Sequence, residues 1–267
     1  MRALTLRRFC ASPRPEPTTN FGFEEIPLSA KQSRVDGVFT SVAHNYDRMN
    51  DVMSGGLHRL WKRQLVEEAG ILRPKLAFAE GRVAGIAQKA AVLELAAGSG
   101  DVALRLLRHQ RRFAENPHAL AQSLSITVTD INPALLDIAR RRISAEDAEG
   151  VCSFELADAQ ALPHPAGSFD FCLISFGLRN VPEPARALAE AFRVLRPGGR
   201  FLCMEFSRVA NPLLQPLYRA YLFGAIPAMG QLVARDRPSY RYLAESIERF
   251  HPQAELLRLL EGAGFSQ

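Results

Sequence analysis

The stretch Ala91-Val92-Leu93-Glu94-Leu95-Ala96-Ala97-Gly98-Ser99-Gly100-Asp101 decides how the rest of the chain is read. A short apolar run interrupted by one acid has the length and composition of a buried β-strand. The Gly-Ser-Gly behind it lets the backbone turn tightly and lets a ligand approach with no Cβ in the way. A helical pattern follows over 101–113. Outward from there, apolar runs at 125–129, 151–156, 169–175 and 199–206 are again strand-like, and mostly bounded by Gly, Pro or Asp. Helical stretches near 132–145 and 184–195 lie between them. Strands alternating with helices predict an α/β fold, a mostly parallel, doubly wound sheet covered on both faces. Ligands of such sheets bind at the carboxyl ends of the strands, near the point where strand order reverses. Chemistry is expected there.

The glycine loop leaves two cofactors open. Residues 98–103, GSGDVA, satisfy the dinucleotide pattern G-x-G-x-x-A, and Asp130 ends the second strand where a ribose-binding acid belongs. On those residues alone a nicotinamide dehydrogenase fits. Three features point elsewhere. Glu94 makes the loop E-x-x-x-G-x-G, which resembles the first motif of S-adenosylmethionine (SAM)-dependent methyltransferases. Asp158-Ala159 follows the third strand, where such enzymes hold the adenine ring. Arg193-Val194-Leu195-Arg196-Pro197-Gly198-Gly199 precedes the fifth. Their order and spacing favour SAM. Asp130 can accept hydrogen bonds from both ribose hydroxyls, Gly98 and Ser99 fall near the amino acid end, and Ser175 closes the fourth strand beside the sulfonium. The bland reading of Asp130 and Asp158 is a solvated strand end or a helix cap.

Composition narrows the field. The chain has 267 residues, enough for one large α/β domain with decorations. Cys10, Cys152, Cys172 and Cys203 are far apart with no CxxC pair, so zinc spacing is absent and no metal is expected. The net charge of +5 is concentrated in Arg2, Arg7, Arg8 and Arg14, which no acid accompanies. The remainder is nearly neutral, which argues against nucleic acid as a partner.

The Arg-rich, acid-free start, with Leu4, Leu6 and Phe9 at loosely helical spacing, reads as a mitochondrial transit peptide. Residues 11–36, rich in Pro and Thr, read as a linker, so 1–36 stands apart from a catalytic domain over 37–267. A chain beginning near Lys31 is accordingly expected to fold. From Val38 to Ile71 the pattern is helical. The apolar segment Leu213–Val233 is interrupted by Pro216 and Pro227, which disfavours a membrane span. It reads as a broken helical lid, within about 211–250, that offers apolar surface to a lipid tail or a bilayer.

Three separated blocks carry a closer resemblance. Tyr46-Asp47-Arg48-Met49-Asn50-Asp51-Val52-Met53-Ser54-Gly55-Gly56-Leu57-His58-Arg59-Leu60-Trp61-Lys62, Ile174-Ser175-Phe176-Gly177-Leu178-Arg179-Asn180-Val181 and Ser239-Tyr240-Arg241-Tyr242-Leu243-Ala244-Glu245-Ser246-Ile247 are similar to the ubiquinone/menaquinone-biosynthesis C-methyltransferases. The resemblance covers roughly 37–266. It implies a Rossmann-like, class I SAM-dependent methyltransferase fold with N-terminal helices and a helical lid. It also implies SAM contacts at Ser99, Asp130, Asp158, Ala159 and Ser175. With the leader, the implied reaction is C-methylation of a lipid-tailed quinol, 2-methoxy-6-polyprenyl-1,4-benzoquinol, in ubiquinone biosynthesis. The implied place is the mitochondrial matrix, peripheral on the inner membrane. Other ubiquinone-biosynthesis proteins in a membrane-associated complex, and a second copy in a homodimer, are the expected partners. Family members continue past Gly264-Phe265 with a final antiparallel strand pair; without it the fifth strand would be a bare sheet edge, so either the sequence is truncated or another chain covers that edge.

A quinol carbon becomes nucleophilic when a ring hydroxyl ionises. A phenol titrates near pH ~10, so favouring phenolate near pH ~7.5 takes about 3.4 kcal/mol of differential stabilisation. Arg179, four residues beyond Ser175, is the candidate stabiliser, its guanidinium too basic to act as a base itself. A bound water then takes the proton and Tyr46 orients it. The competing readings are a structural salt bridge for Arg179 and core packing for Tyr46. His58 has a suitable base chemistry, but a packing histidine accounts for it equally well and it is given no role.

Overall fold

A computed structural model of the chain describes residues 16–43, 46–71, 89–114, 116–146, 150–209 and 211–266. Strand β3, Ala90–Leu95, lies in the middle of the main sheet because both of its faces are apolar. The two antiparallel strands before it, β1 (Thr18–Phe21) and β2 (Glu24–Pro27), form a separate hairpin. In the main sheet β4 (Leu124–Asp130), β5 (Cys152–Leu156), β6 (Phe169–Ser175) and β7 (Leu195–Met204) join β3 in the order β5-β4-β3-β6-β7. Every neighbouring pair is parallel. Alternation along each strand divides the core. Val92 and Leu173 pack on one face with Leu104, Leu107 and Ile143. Leu93, Leu95, Cys172 and Ile174 pack on the other with Leu188 and Ala191.

Crossover helices supply those partners: α4 (Asp101–Arg111) and α6 (Pro133–Ser144) on the first face, α7 (Pro184–Val194) on the second. Asn132 caps α6, its side chain accepting from the Leu135 N–H at 3.1 Å. A short helix not expected from the sequence, α5 (Pro117–Ser123), is started by Asn116 in the same way. Gly100 turns into α4 with φ +72, and a Cβ there would lie 2.8 Å from Ile143 Cδ1 and 2.9 Å from Ala139 Cβ. Only glycine permits both the turn and the close passage of α6.

The helical pattern over 38–71 resolves into α1 (Leu28–Val42), α2 (Tyr46–Ser54) and α3 (Leu57–Ala69). The predicted linker is corrected here. Residues 1–15, which hold the stretch read as a transit peptide, lie outside the described residues, but Thr18–Phe21, Glu24–Pro27 and Leu28–Val42 are already strands and a helix. The β1–β2 hairpin packs on helix α10 (Arg237–Arg249), where Phe21 stacks on Tyr242 at 4.2 Å and the Phe23 N–H donates to Glu245 Oε2 at 3.1 Å. Pro- and Thr-rich composition resembled a linker because a four-residue strand is too short for periodicity to show. A start at Lys31 would remove the hairpin and the first turn of α1.

The lid folds as α8 (Gln215–Ala220), a π-helical turn at 221–225, α9 (Ile226–Met229), a second π turn at 230–234, and α10. The prolines do not break it as expected. Pro216 and Pro227 occupy first-turn positions, and wider π turns flank α9. Among the described residues no helix is long and apolar enough to cross a membrane. Strand β7 ends the sheet, and no strand lies beyond it among the described residues. Phe201 stacks on Phe265 at 5.2 Å, beside the final helix α11 (Gln253–Gly262). Cys172 and Cys203 are free thiols.

Candidate active site

Strand order reverses between β3 and β6, and both strands leave the sheet there in strained backbone. Ala96 has φ 48 and Phe176 φ 57, a region that residues with a Cβ seldom adopt. The two turns touch: a Cβ on Gly177 would sit 2.6 Å from Ala96 Cβ. Two cavities adjoin these turns, and Phe176 lines both.

The first, about 70 Å³, is the cleft at the carboxyl ends of β3, β4 and β5. It is lined by Gly98, Asp130, Asp158, Ala159 and Ser175, and so brings together five of the expected cofactor residues. Asp130 accepts from the Gly98 N–H through Oδ2 and from the Asn132 N–H through Oδ1, both at 2.8 Å. Burial pushes its carboxyl above the usual range, and those backbone donors partly offset the push. Asp158 accepts from the Gln160 N–H at 2.9 Å. The hydroxyl of Ser175 is buried with no protein partner. Helix α1 closes the cleft with Val35, Asp36 and Phe39, a cover that no local sequence pattern placed there.

Ser99 departs from expectation. It does not line the cleft; its hydroxyl donates to Asp47 Oδ1 at 2.9 Å, and Arg142 donates to both the Ser99 hydroxyl and Asp47. Here Ser99 ties the glycine loop to α2 and α6. Glu94 also points into protein. It is fully enclosed, and burial, opposed by Lys62, pushes its carboxyl up to about 8. Lys62 in turn donates to Asp101 Oδ2 at 3.0 Å, so a buried ion pair lies under the loop.

The second cavity, about 330 Å³, lies between α2, α3, the lid and α10. Its wall is largely apolar, with Met49, Met53, Trp61, Phe206, Leu222 and Ile247. Phe39, Phe176 and Asn180 line both cavities and form the partition between them. Asn180 is held there by the Tyr242 hydroxyl, which donates to its Oδ1 at 3.1 Å. Burial pushes that phenol up to about 12.

Arg179 also lines the second cavity, on a 3₁₀ turn at 178–180. Its Nη1 donates to Glu205 Oε1 at 2.8 Å and to the Phe176 carbonyl, while Nε has no protein partner. Glu205 is the functional neighbour that sequence reasoning missed: it lies one residue past β7, remote in the chain. Tyr46 opens α2, but its side chain lies outside the described residues. Among the described residues no cluster of His, Cys, Asp and Glu could hold a metal ion.

The donor set fits SAM. Each Asp130 oxygen has a lone pair left for a ribose hydroxyl, Ser175 has an unmet hydroxyl at the partition, and Asp158 borders the far end. When bound, SAM supplies an electrophilic methyl group on sulfur.

Residues 28–267 match the ubiE/COQ5 methyltransferase family. The chain is 48% identical over 251 residues to the ubiquinone/menaquinone biosynthesis C-methyltransferase UbiE of Methylobacterium nodulans, covering 94% of this chain and 90% of that protein. The UbiE of Bartonella henselae is 45% identical, covering 93% and 86%. A SAM-dependent methyltransferase of Thermotoga maritima, 21% identical, has the same fold with a TM-score of 0.52, covering 86% of this chain and 81% of that one. The chain belongs to the ubiE/COQ5 methyltransferase family. It is a SAM-dependent C-methyltransferase of ubiquinone/menaquinone biosynthesis.

Proposed function

We propose that this member of the ubiE/COQ5 methyltransferase family methylates a ring carbon of 2-methoxy-6-polyprenyl-1,4-benzoquinol. The observation that carries the reading is the apolar cavity behind the Phe39–Phe176–Asn180 partition. A flat ring against that partition faces the Ser175 end of the cofactor cleft, and a tail has apolar wall to follow. The partition fixes the ring, and positioning of this kind removes much of the entropic barrier to an in-line transfer.

Arg179 meets the ring oxygen through Nε–H. Its charge is shared with Glu205, so it acts less as a lone cation than as an oriented donor in a water-poor cavity, where one such donor counts for most. Asp130, Asp158, Ala159, Ser175 and Gly98 hold the cofactor.

The Arg-rich first fifteen residues support a mitochondrial address, with the enzyme in the matrix and peripheral on the inner membrane. Within that setting the enzyme works beside other ubiquinone-biosynthesis proteins in a membrane-associated complex, as a homodimer. Purified protein with labelled SAM and a panel of short-tailed benzoquinols and naphthoquinols tests the substrate. Labelled methyl on the methoxy-benzoquinol ring carbon is expected. Transfer to naphthoquinols alone, or to oxygen, defeats the reading. Import assays with and without residues 1–15 test the address.

A further inference from the structure

The Tyr46–Lys62 block leaves one group without a role. His58 is 6% exposed and lines the quinol cavity. Its Nε2 lies 2.8 Å from Asp51 Oδ1, and its Nδ1 is buried with no protein partner. Asp51 is pinned in turn: Arg59 donates to it from Nε at 2.6 Å and from Nη2 at 2.5 Å. Those contacts hold the Asp51 carboxyl well below the usual range, so it remains an acceptor. A carboxylate can only accept, so the hydrogen of the neutral imidazole resides on Nε2 and the lone pair on Nδ1. A base oriented by an acid, with its other nitrogen unmet on a side chain that lines the second cavity, is the arrangement that general-base catalysis requires.

We propose that His58, oriented by Asp51, is the general base that takes the proton from the quinol hydroxyl. This rests on the quinol reading above and replaces the bound water as proton acceptor. Two unmet atoms among the cavity-lining side chains are complementary, for His58 Nδ1 accepts and Arg179 Nε donates. A quinol offers an O–H to the first and an oxygen to the second. The balance closes as follows. The hydroxyl proton passes to Nδ1, and the ring carbon uses the released electron density to bond the methyl group. The S–CH₃ bond breaks with its electron pair left on sulfur. The ring C–H proton then leaves to solvent as the ring regains aromaticity, and the imidazolium returns its proton to the oxygen. One proton is released per turnover.

The charged and titratable groups around His58 are Asp51 on α2 and Arg59 and Lys62 on its own helix. Across the cavity stand Arg179, backed by Glu205, then Tyr218 and Tyr221 on the lid, and Tyr240 and Tyr242 on α10. Apart from Asp51, none of these is a carboxylate or imidazole in contact with His58.

The test uses the full chain, labelled SAM and a short-tailed methoxy-benzoquinol. His58→Ala should lower kcat about 10²–10³-fold, with SAM affinity and melting temperature near wild type. Added imidazole should restore part of the rate, which a packing residue would not allow. The acidic limb of the wild-type pH–rate profile should vanish in the variant. Asp51→Asn should lower kcat tenfold or more, and ¹⁵N NMR of the ring without substrate should show its hydrogen moving from Nε2 to Nδ1. A His58→Ala enzyme within fivefold of wild type and with an unchanged profile overturns the proposal. So does a loss of rate that tracks loss of SAM binding and is not rescued by imidazole. If His58→Ala does not fold, Asp51→Asn decides: full activity in it overturns the proposal too. Failure of the wild-type enzyme on every quinol sinks the substrate reading instead, while the NMR result still reports on the pair.

Discussion

Arg179 and Glu205 meet at 2.8 Å with side chains only 6% and 3% exposed, so the cation that lines the apolar cavity is half of a buried ion pair. A pair taken out of water costs desolvation, and removing one member leaves the other uncompensated. The two members are therefore expected to fail differently. Arg179→Ala should lower kcat by roughly 10²–10³, with the SAM dissociation constant within a fewfold of wild type. The deficit should shrink at higher pH as hydroxide ionises the quinol. Glu205→Ala should cost stability first, about 3–5 kcal/mol by the usual effect of breaking a buried pair. Arg179→Lys should stay impaired because an ammonium lacks the Nε–H fork. Steady-state kinetics across pH with a short-tailed quinol, together with thermal melts, check all three.

Asp130 has backbone donors on both oxygens and still faces the cofactor cleft. Asp130→Ala should weaken SAM binding by about 1–3 kcal/mol, the range for losing charge-assisted hydrogen bonds. The loss of the Gly98 and Asn132 contacts should also loosen the glycine loop. Calorimetry measures the affinity, and unchanged SAM binding would remove Asp130 from the site.

Glu94 makes stability depend on pH. Burial raises its folded pKa to about 8 from a usual 4.5, so between those values the folded protein holds a proton that the unfolded chain has lost. The contribution is complete below about 4.5 and is lost as pH rises through about 8. Glu94→Gln should therefore melt close to wild type near pH 5 and above it near pH 8.5. Melts without SAM, across that window, give the comparison. A gap that widens toward acid would show that Glu94 is charged in the fold.

The hairpin at 18–27 makes the fold begin earlier than composition implied. A chain starting at Glu16 should melt like the full chain. One starting at Lys31 should melt several degrees lower, having lost the Phe21–Tyr242 stack, the Phe23–Glu245 bond and the first turn of α1. Tyr242 orients Asn180 at the partition, so quinol turnover should fall as well. Equal melting temperatures for the two chains would return the hairpin to the status of a linker.

The central sheet was legible in the sequence because its middle strands β3, β4 and β6 are largely buried and read as apolar runs, and local composition alone separates them from the helices between. Gly98, Asp130, Asp158, Ala159 and Ser175 were legible for the same reason: in a doubly wound sheet, position after a strand dictates position in space. Arg179 and His58 could be named from their blocks. What the sequence could not contain was pairing across distance. Glu205 meets Arg179 only because β6 and β7 lie side by side, and Ser99 turns from the cleft because Asp47 and Arg142 converge on it from two helices. Asp51 and His58 are seven residues apart, on helices separated by a Gly-Gly turn whose φ values of 56 and 80 set their approach. Strands and loops follow from short-range sterics and burial pattern. The partner that satisfies a buried charge, and the nitrogen left without one, is decided when tertiary packing brings every competing donor and acceptor into place.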